Sequence, residues 1–296
     1  MNDLKEIANN YNFKIKSLKV IGNVTIIESD KGNFVYKEKN NYDIYDYLTT
    51  RGFSFFPKVI NDKNSKYELT EYINEKNISK EQRLNDLIHI IGYLHHKTSF
   101  NKEIDIDELK TMYENMQDEA NYLMNYYHDL NNYIDNNVFM SPSEYLLVSN
   151  IDLFYYLLRF VKVESTNWYN EINNNKGIRY SMIHGNLKLS HVLEGNNIYL
   201  ISWNNAHIDN PNKDLISLYK DNYELINLDD LLREYEKENK LTRYEKLFLL
   251  LNLSIPKRIE FTKNTYLDCF NISKYIVYLK KIASIIQKND KMRQKS

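Results

Sequence analysis

The chain has 296 residues and a formal net charge of −1, which excludes the basic excess expected of a general nucleic-acid-binding protein. Its single cysteine, Cys269, excludes an intrachain disulfide framework and is typical of a protein in a reducing compartment. Because no apolar stretch reaches the ~20 residues of a membrane-spanning helix, and the N-terminus has no apolar signal core, we expect a cytoplasmic protein.

The N-terminal part of the sequence is typical of a small antiparallel sheet. Short runs rich in Ile, Val, Phe and Tyr are separated by Gly22-Asn23 and by residues 30–33, which are common turn sequences between strands. One helix is predicted over residues 42–50. The predicted strands are residues 13–20, 24–29, 33–37, 55–60 and 67–73.

From Ser79 onward the apolar period changes from two residues to about 3.6, the period of a helix. The apolar repeat over residues 109–130 predicts a long helix that lies on a neighbouring helix, with a coiled coil as the alternative. Ser141-Pro142-Ser143-Glu144 predicts a helix start, with a capping serine and a proline at the first helical position. Thr242 and Glu245 have the spacing of a capping box at another helix start.

This change of period determines the predicted domain organisation. A small β-rich lobe comprises residues 1–73, and a larger helical lobe comprises residues 74–296 and ends in a helix over residues 267–287. Within the helical lobe, residues 181–215 contain a hairpin with polar residues at its strand ends and Glu194-Gly195-Asn196-Asn197 as its turn. The predicted fold class is therefore α+β, with a small antiparallel sheet carrying one helix and a large, mainly helical second lobe.

Three motifs follow one another in this segment. His184-Gly185-Asn186 is followed by His191, then by Ile201-Ser202-Trp203, and then by Asn210-Pro211-Asn212-Lys213-Asp214-Leu215. Together they resemble the catalytic loop of the aminoglycoside phosphotransferase and choline kinase branch of the protein-kinase-like fold. That family has His-Gly-Asp, four residues and then Asn, followed by Ile-Asp-Trp or Ile-Asp-Phe and a Gly-Asp-Pro-x-x-Asp-Leu turn. The resemblance implies a bilobal kinase-like fold.

Further matches to this family lie upstream in the same order. Gly22-Asn23 stands where the family has its phosphate-covering turn, and Val35-Tyr36-Lys37 resembles the strand that carries its phosphate-binding lysine. Residues 67–73 resemble the strand that leads into the hinge, and residues 94–98 resemble the Leu-His-x-x-Ser/Thr end of a large-lobe helix. The resemblance therefore assigns Gly22, Asn23 and Lys37 to a vestigial or weak nucleotide site.

Two interpretations of Lys37 stay open. In the first, its ammonium holds nucleotide phosphates, as the resemblance implies; in the second, it is a surface lysine at a strand end, flanked by Glu38 and Lys39. The family pairs this lysine with an acidic residue on the small-lobe helix. Asp43 and Asp46 are the candidates in this chain, and neither is preferred.

The residues at the chemical positions differ from the family pattern. Asn186 occupies the place of the catalytic base, and its amide cannot take up a proton near neutral pH. His191 and Ser202 occupy the places of the metal ligands, where Mg²⁺ prefers carboxylate oxygens. Asp209 is the nearest carboxylate in sequence that could substitute. We therefore expect no bound metal or cofactor, with ATP and Mg²⁺ entering only if the protein is an active phosphotransferase.

Other polar residues of the segment have structural interpretations. The resemblance implies that His184 fixes the loop backbone together with Gly185, and that Asp214 caps its helix and braces the loop. His191 could be a transition-metal ligand, but no set of His, Cys or Asp residues at metal spacing accompanies it. A hydrogen-bonded or solvent-facing histidine is the preferred interpretation.

These substitutions favour a catalytically inactive member of the fold, a pseudokinase that acts by binding a protein partner. Residues 140–144, followed by an aromatic-rich helix, resemble the spore-coat branch of this family in endospore-forming Firmicutes, the CotS and YutH-like proteins. That resemblance implies spore-coat components as partners and a final location on the spore coat, with no nucleic acid or membrane partner. The alternative is an active ATP-dependent phosphotransferase of the aminoglycoside or choline type that uses atypical catalytic residues.

Overall fold

The strands and helices are taken from a computed structural model that describes residues 2–38, 44–60, 67–175 and 177–293. The strands are β1 (Ile15–Ile21), β2 (Val24–Ser29), β3 (Gly32–Glu38), β4 (Tyr67–Glu71), β5 (Phe100–Glu103), β6 (Gly177–Ile183), β7 (Val192–Glu194), β8 (Ile198–Leu200) and β9 (His207–Asp209). The helices are α1 (Asn2–Asn10), α2 (Ile44–Thr50), α3 (Lys80–Thr98), α4 (Ile106–Asp135), α5 (Pro142–Val148), α6 (Ile151–Asn175), α7 (Asn212–Asn222), α8 (Leu228–Tyr235), α9 (Arg243–Ser254) and α10 (Thr265–Arg293). None of these helices is both long and apolar enough to span a bilayer.

The chain divides into two compact units. The first contains Met1–Thr98 and Met182–Ile208, and the second contains Ser99–Ser181 and Asp209–Ser296. This division differs from the sequence-based boundary at residue 74, because the first unit also includes α3 and the β7–β8 hairpin. An Arg83 guanidinium nitrogen on α3 donates to the Val192 carbonyl at 3.2 Å, which connects the helix directly to the hairpin.

The first unit is built on an antiparallel sheet with the strand order β1-β2-β3-β4. Gly22-Asn23 forms the two-residue turn between β1 and β2, and Gly22 has a φ of +58°, a conformation that glycine adopts without steric strain. The register places Lys37 on β3 directly opposite Glu68 on β4. Together with the helical second unit, this small sheet confirms the predicted α+β fold class.

Helix α1 closes one face of this sheet and was not predicted from the sequence. Ile7 is fully buried in a cluster with Phe13, Ile27 and Leu69, and other apolar side chains of α1 pack around them. The helix is short and rich in Asn, so its propensity is weak and its stability comes from this tertiary packing.

The predicted strand over residues 55–60 is wrong as a regular strand. Only an isolated bridge joins Val59 to Thr70, although the Ile60 N–H donates to the Leu69 carbonyl at 2.8 Å. Pro57 has no backbone N–H and therefore cannot continue a ladder of hydrogen bonds. The segment follows β4 without becoming a regular fifth strand of the sheet.

The second unit is mainly helical, and its long helix α4 packs against α6, as the apolar repeat predicts. The predicted helix start at Ser141 and the predicted capping box at Thr242 are both confirmed, and the structure shows a capping box at each. The carboxylate of Glu245 also accepts two hydrogen bonds from Arg179 on β6, at 2.8 and 2.9 Å. Since the Glu245 side chain is 2% exposed, this buried ion pair joins the start of α9 to β6.

Candidate functional site

The candidate site is centred on the β7–β8 hairpin, which the sequence predicts and the structure confirms. Val192 pairs with Leu200 and Glu194 with Ile198 across an antiparallel ladder. The Leu200 N–H donates to the Phe55 carbonyl at 2.8 Å, so the hairpin is also attached to the segment beside β4. The hairpin therefore has a defined position against the sheet of the first unit.

His184 connects the preceding loop to the end of this hairpin. Its side chain is fully buried, and its Nε2 lies 2.9 Å from the Ile201 carbonyl oxygen. Because a carbonyl can only accept a hydrogen bond, Nε2 carries the proton and donates. The ring also meets Trp203 edge-on, with centroids 5.0 Å apart. Through these contacts the His184 imidazole has a structural role: it holds the loop backbone against the end of the strand.

Gly185 follows at a point where no side chain fits. Its φ is +72°, and a Cβ built on it would lie 2.5 Å from the backbone oxygen of Asn205. A separation below 3.0 Å between such atoms requires the backbone to move. The glycine therefore allows the loop to lie directly on the turn after Trp203.

Asn186 and His191 are joined to each other across the same loop. His191 Nδ1 lies 2.8 Å from the Asn186 carbonyl oxygen and donates to it. Burial lowers the pKa of His191, although this hydrogen bond acts in the opposite direction and favours the protonated form. The lowered pKa favours a neutral His191 imidazole, whose Nδ1 proton is hydrogen-bonded to the Asn186 carbonyl.

Ser202 occupies the strand end that faces the sheet, and its backbone is strained. Its φ of 70° and ψ of 46° lie in the left-handed region, which a side chain other than glycine enters at a cost of roughly 1–2 kcal/mol. Asparagine and aspartate tolerate this conformation better than serine does. The residue thus keeps a backbone shape that suits an Asp, while its side chain is a neutral hydroxyl.

A cavity of about 140 Å³ lies between the sheet and the hairpin. The described residues that line it are Val24, Val35, Lys37, Tyr45, Pro57, Glu68, Thr70, Glu71, Tyr72, Ile73, Leu193, Ile201 and Ser202. Apolar side chains from β2 and β3 face others from the hairpin, and Lys37 contributes a positive charge. The cavity therefore combines Lys37 and Ser202, two of the residues singled out from the sequence.

Lys37 is held inside this cavity by an ion pair. Its Nζ lies 3.1 Å from Glu68 Oε1, and the two side chains are 18% and 11% exposed. The Tyr45 hydroxyl donates to the same oxygen at 2.8 Å, and burial together with the nearby Glu68 charge raises the pKa of Tyr45. The acidic partner of Lys37 is therefore Glu68 on the neighbouring strand and not Asp46 on α2, while Asp43 lies outside the described residues.

The remaining predicted site residues are not among the described residues that line this cavity. Gly22 and Asn23 form the exposed turn between β1 and β2 and are not among the described residues that line it. In the second unit, Asp214 is buried in the first turn of α7 rather than at its cap. The N-cap residue is Pro211, and just before it the Asn210 side chain accepts a hydrogen bond from the Asn212 N–H at 2.9 Å.

The residues present do not fit a magnesium ion. Both carboxylates that line the cavity are engaged, Glu68 by Lys37 and Tyr45, and Glu71 by the Lys58 N–H at 3.0 Å. Across the described parts of the chain, no group of three His, Cys, Asp or Glu side chains is arranged to hold a metal.

Asp209, the carboxylate predicted as a possible substitute, lies in the second unit. Its Oδ2 lies 2.6 Å from the Lys213 ammonium, and its Oδ1 accepts a hydrogen bond from the Asn210 N–H at 2.7 Å. Both of its oxygens therefore have partners within their own turn, which leaves this carboxylate poorly suited to bind a metal.

Sequence reasoning missed Glu68 and Tyr45, the two side chains that surround the Lys37 ammonium. The alternation of polar and apolar residues in β4 is a signal that Glu68 and Thr70 share one face. The strand register decides which residue of β3 lies opposite Glu68. Because no short hairpin turn joins β3 to β4, the sequence does not determine that register.

The fold is also found in solved phosphotransferase structures. An aminoglycoside phosphotransferase from Alicyclobacillus acidocaldarius superposes with a TM-score of 0.70 at 12% identity, covering 95% of this chain and 93% of that one. The AMP-bound complex of spectinomycin phosphotransferase gives a TM-score of 0.54 at 14% identity, covering 95% and 97%. No protein-family model and no curated protein sequence matches the chain. At these identities the likeness shows the fold, which is that of the aminoglycoside phosphotransferase structures.

Replacing Gly185 with alanine is expected to destabilise the protein more than replacing Gly52 with alanine. Both glycines have a similar positive φ, +72° and +75°, but nothing lies within 4 Å of a Cβ at Gly52. The clash with Asn205 should therefore add at least about 2 kcal/mol to the loss of unfolding free energy. Urea unfolding measures both variants, and equal losses would contradict the close contact of the loop with Asn205.

Acidification is expected to destabilise the protein in part through His191. Since burial lowers the pKa of His191 in the folded state, the unfolded chain takes up this proton at a higher pH than the folded chain. The stabilisation is fully present above the ordinary histidine pKa of about 6.5 and is lost as the pH falls from there towards the lowered folded-state value.

The variant His191→Asn isolates this effect, because an asparagine amide still offers an N–H to the Asn186 carbonyl but does not titrate. Urea unfolding between about pH 7.5 and pH 5 should show a smaller loss of stability in this variant than in the wild type. The exposed His96→Asn variant serves as the control and should keep the wild-type pH dependence. An unchanged slope in His191→Asn would refute the lowered pKa of the partly buried His191.

Proposed function

We propose that the protein is a pseudokinase, a kinase-fold protein that acts by binding and does not transfer phosphate. The observation that carries the proposal is the state of the three chemical positions. Asn186 and His191 are hydrogen-bonded to each other through the loop backbone, and Ser202 presents a neutral hydroxyl at the cavity. Each position holds a residue without a carboxylate.

The absence of a base at residue 186 weakens the first part of the reaction. In this fold an aspartate orients the acceptor hydroxyl and accepts its proton. The Asn186 side chain is an amide and cannot take a proton near neutral pH. Loss of general-base assistance typically lowers a rate by ~10²–10⁴.

The absence of a metal site weakens the second part of the reaction. The metal ions in this fold neutralise the charge that develops on the phosphates. At Ser202 a hydroxyl replaces the carboxylate, and His191 has its Nδ1 committed to the Asn186 carbonyl. Among the described residues that line the cavity, Glu68 is paired with Lys37 and one oxygen of Glu71 accepts a hydrogen bond from the Lys58 N–H. This second loss acts on a different part of the same transition state.

The cavity still supports weak binding of a small ligand of the nucleotide type. Val24 and Val35 on one side and Leu193 on the other form apolar walls around a space open to the Lys37 side chain. A phosphate would have to compete with Glu68 for the Lys37 ammonium. We therefore propose that any nucleotide binding is weak and independent of metal.

Thermal unfolding with ATP separates a pseudokinase from an active phosphotransferase. We expect the wild type to show a small shift in Tm with ATP that does not increase with Mg²⁺, and no production of ADP above that of a Lys37→Met variant. A metal-dependent rise in Tm with ADP production that Lys37→Met abolishes would establish the alternative, an active phosphotransferase.

A pair of variants tests whether the missing charges are the cause. Asn186→Asp combined with Ser202→Asp restores both carboxylates, while Ser202→Asn matches the second substitution in size but adds no charge. If only the double variant gains a Mg²⁺-dependent shift with ATP, the scaffold is intact and its chemistry was lost with the carboxylates.

We further propose the spore coat as the setting of this binding function. The layout of residues 140–144 and the helices that follow supports the proposal by its resemblance to the spore-coat branch of the fold. The exposed side chains of Val138 and Phe139, each 88% accessible, lie beside this segment and suit association with other proteins.

A fluorescent fusion expressed in a sporulating culture tests this setting. We expect it to collect around the forespore and to be recovered in the coat fraction. A fusion that stays dispersed in the mother cell, or a source organism that forms no endospores, would refute the spore-coat proposal while leaving the pseudokinase proposal intact.

A further inference from the structure

The helical second unit contains a cavity of about 530 Å³, within the size range of small-molecule sites. It lies where the C-terminal half of α7 meets the end of α9 and the middle of α10. The described residues that line it are Glu119, Lys220, Tyr223, Asn252, Ile255, Pro256, Lys257, Asn271, Lys274, Tyr275 and Tyr278. A helix rises about 1.5 Å per residue, so Tyr223 at the end of α7 lies roughly 13 Å from Asp214 at its start. This cavity is therefore distinct from the motif at the helix start.

The charge of the lining is positive, with three lysines against one glutamate. Lys220 has no ion pair with a described residue, and burial lowers its pKa, while the Glu119 carboxylate acts in the opposite direction. The Lys220 side chain is nonetheless exposed, and the Glu119 carboxylate compensates its positive charge only in part. A negatively charged group in the cavity would supply the missing compensation.

Tyrosine rings form one wall of the cavity. Tyr275 and Tyr278 are stacked at an interplanar angle of 14° with centroids 5.7 Å apart, and Tyr223 meets Tyr278 edge-on at 5.3 Å. The hydroxyls are already used: that of Tyr223 donates to the Lys274 carbonyl at 3.1 Å and that of Tyr278 to the Leu253 carbonyl at 2.7 Å. What these residues offer a ligand is the surface of their rings.

The hydroxyls of Tyr275 and Tyr223 position two of the lysines. The Lys257 N–H donates to the Tyr275 hydroxyl at 2.6 Å, and the Lys257 ammonium lies 4.6 Å from the centroid of that ring. Lys274 is anchored through its carbonyl by Tyr223, and its ammonium is 3.4 Å from Glu224. Both backbones are therefore fixed, while the exposed ammonium groups can adjust to a ligand.

A second cavity in this unit, of about 470 Å³, shows the contrast. The cations along its wall are neutralised by carboxylates on their own or adjacent helices: Lys246 lies 2.8 Å from Glu236 and Arg233 lies 2.9 Å from Asp230. Of these two cavities, the one at Lys220 is thus the one that combines aromatic rings with a lysine that has no ion pair to a described residue.

We propose that the cavity at Lys220 is a binding site for a small anion with an aromatic or apolar body, a carboxylate or a phosphate monoester. Lys220 holds the anionic group, with Lys257 and Lys274 at the rim, and the rings of Tyr275 and Tyr278 pack against the body of the ligand. The site is independent of Lys37 and of the proposed loss of phosphate transfer.

Isothermal titration of the full chain with four probes tests the site: phenyl phosphate, 3-phenylpropionate, inorganic phosphate and neutral benzyl alcohol. We expect saturable binding of at least one aromatic anion, and at least tenfold weaker binding of benzyl alcohol and of inorganic phosphate. The two aromatic anions distinguish a phosphate from a carboxylate as the preferred group. Equal affinity for benzyl alcohol and the aromatic anions, or no saturable binding of either anion, would overturn the proposal.

Variants locate the binding within the chain. Lys220→Met removes the charge but keeps a long side chain, and should weaken binding of the preferred anion about tenfold, as expected for one lost charge-assisted hydrogen bond. Lys220→Arg should retain most of the affinity. Lys280→Met, an exposed lysine on α10 outside the lining, is the control and should change the affinity less than twofold. Binding that survives Lys220→Met unchanged would place the anion elsewhere and refute the site. If a variant folds poorly, the comparison of the four probes on the wild-type protein still tests the proposal.

Discussion

The hydrogen bond from the buried His184 imidazole to the Ile201 carbonyl is the contact on which the geometry of the candidate site depends. It ties the loop before the β7–β8 hairpin to the strand end after it, with Trp203 packed against the ring. Gly185 then lies directly on the backbone of Asn205. Because these contacts are buried and local to the first unit, they keep the loop in shape whichever side chains stand at Asn186 and Ser202.

The shape of this loop therefore depends on contacts that do not involve the side chains of Asn186 and Ser202. The left-handed backbone at Ser202 is retained although serine is poorly suited to it, since the surrounding contacts determine the conformation. The electrostatic properties of the site depend instead on the side chains themselves, and none of Asn186, His191 and Ser202 carries a carboxylate. Within the cavity, the Lys37 ammonium is paired with the Glu68 carboxylate.

Several features could be predicted because they depend on residues close together in the chain. The helix starts at Ser141 and Thr242 follow from side chains that cap their own first turn. The β7–β8 hairpin follows from a short turn between two apolar runs.

The features that were missed depend on residues that are distant in the sequence. The helix α1 is stabilised by packing on Ile27 and Leu69, and residues 55–60 lack a regular ladder because Pro57 interrupts the hydrogen bonds.

The sequence by itself determined the fold class, the order of the motifs and the residue types at positions 186, 191 and 202, since residue identity and local spacing are sufficient for these. Only the tertiary structure decided that Glu68 is the partner of Lys37, because the register between β3 and β4 places them opposite each other. It also decided that Lys220 faces the rings of α10, a consequence of how α7, α9 and α10 pack. Side-chain partners that come from different elements are set by packing and register, which no local pattern encodes.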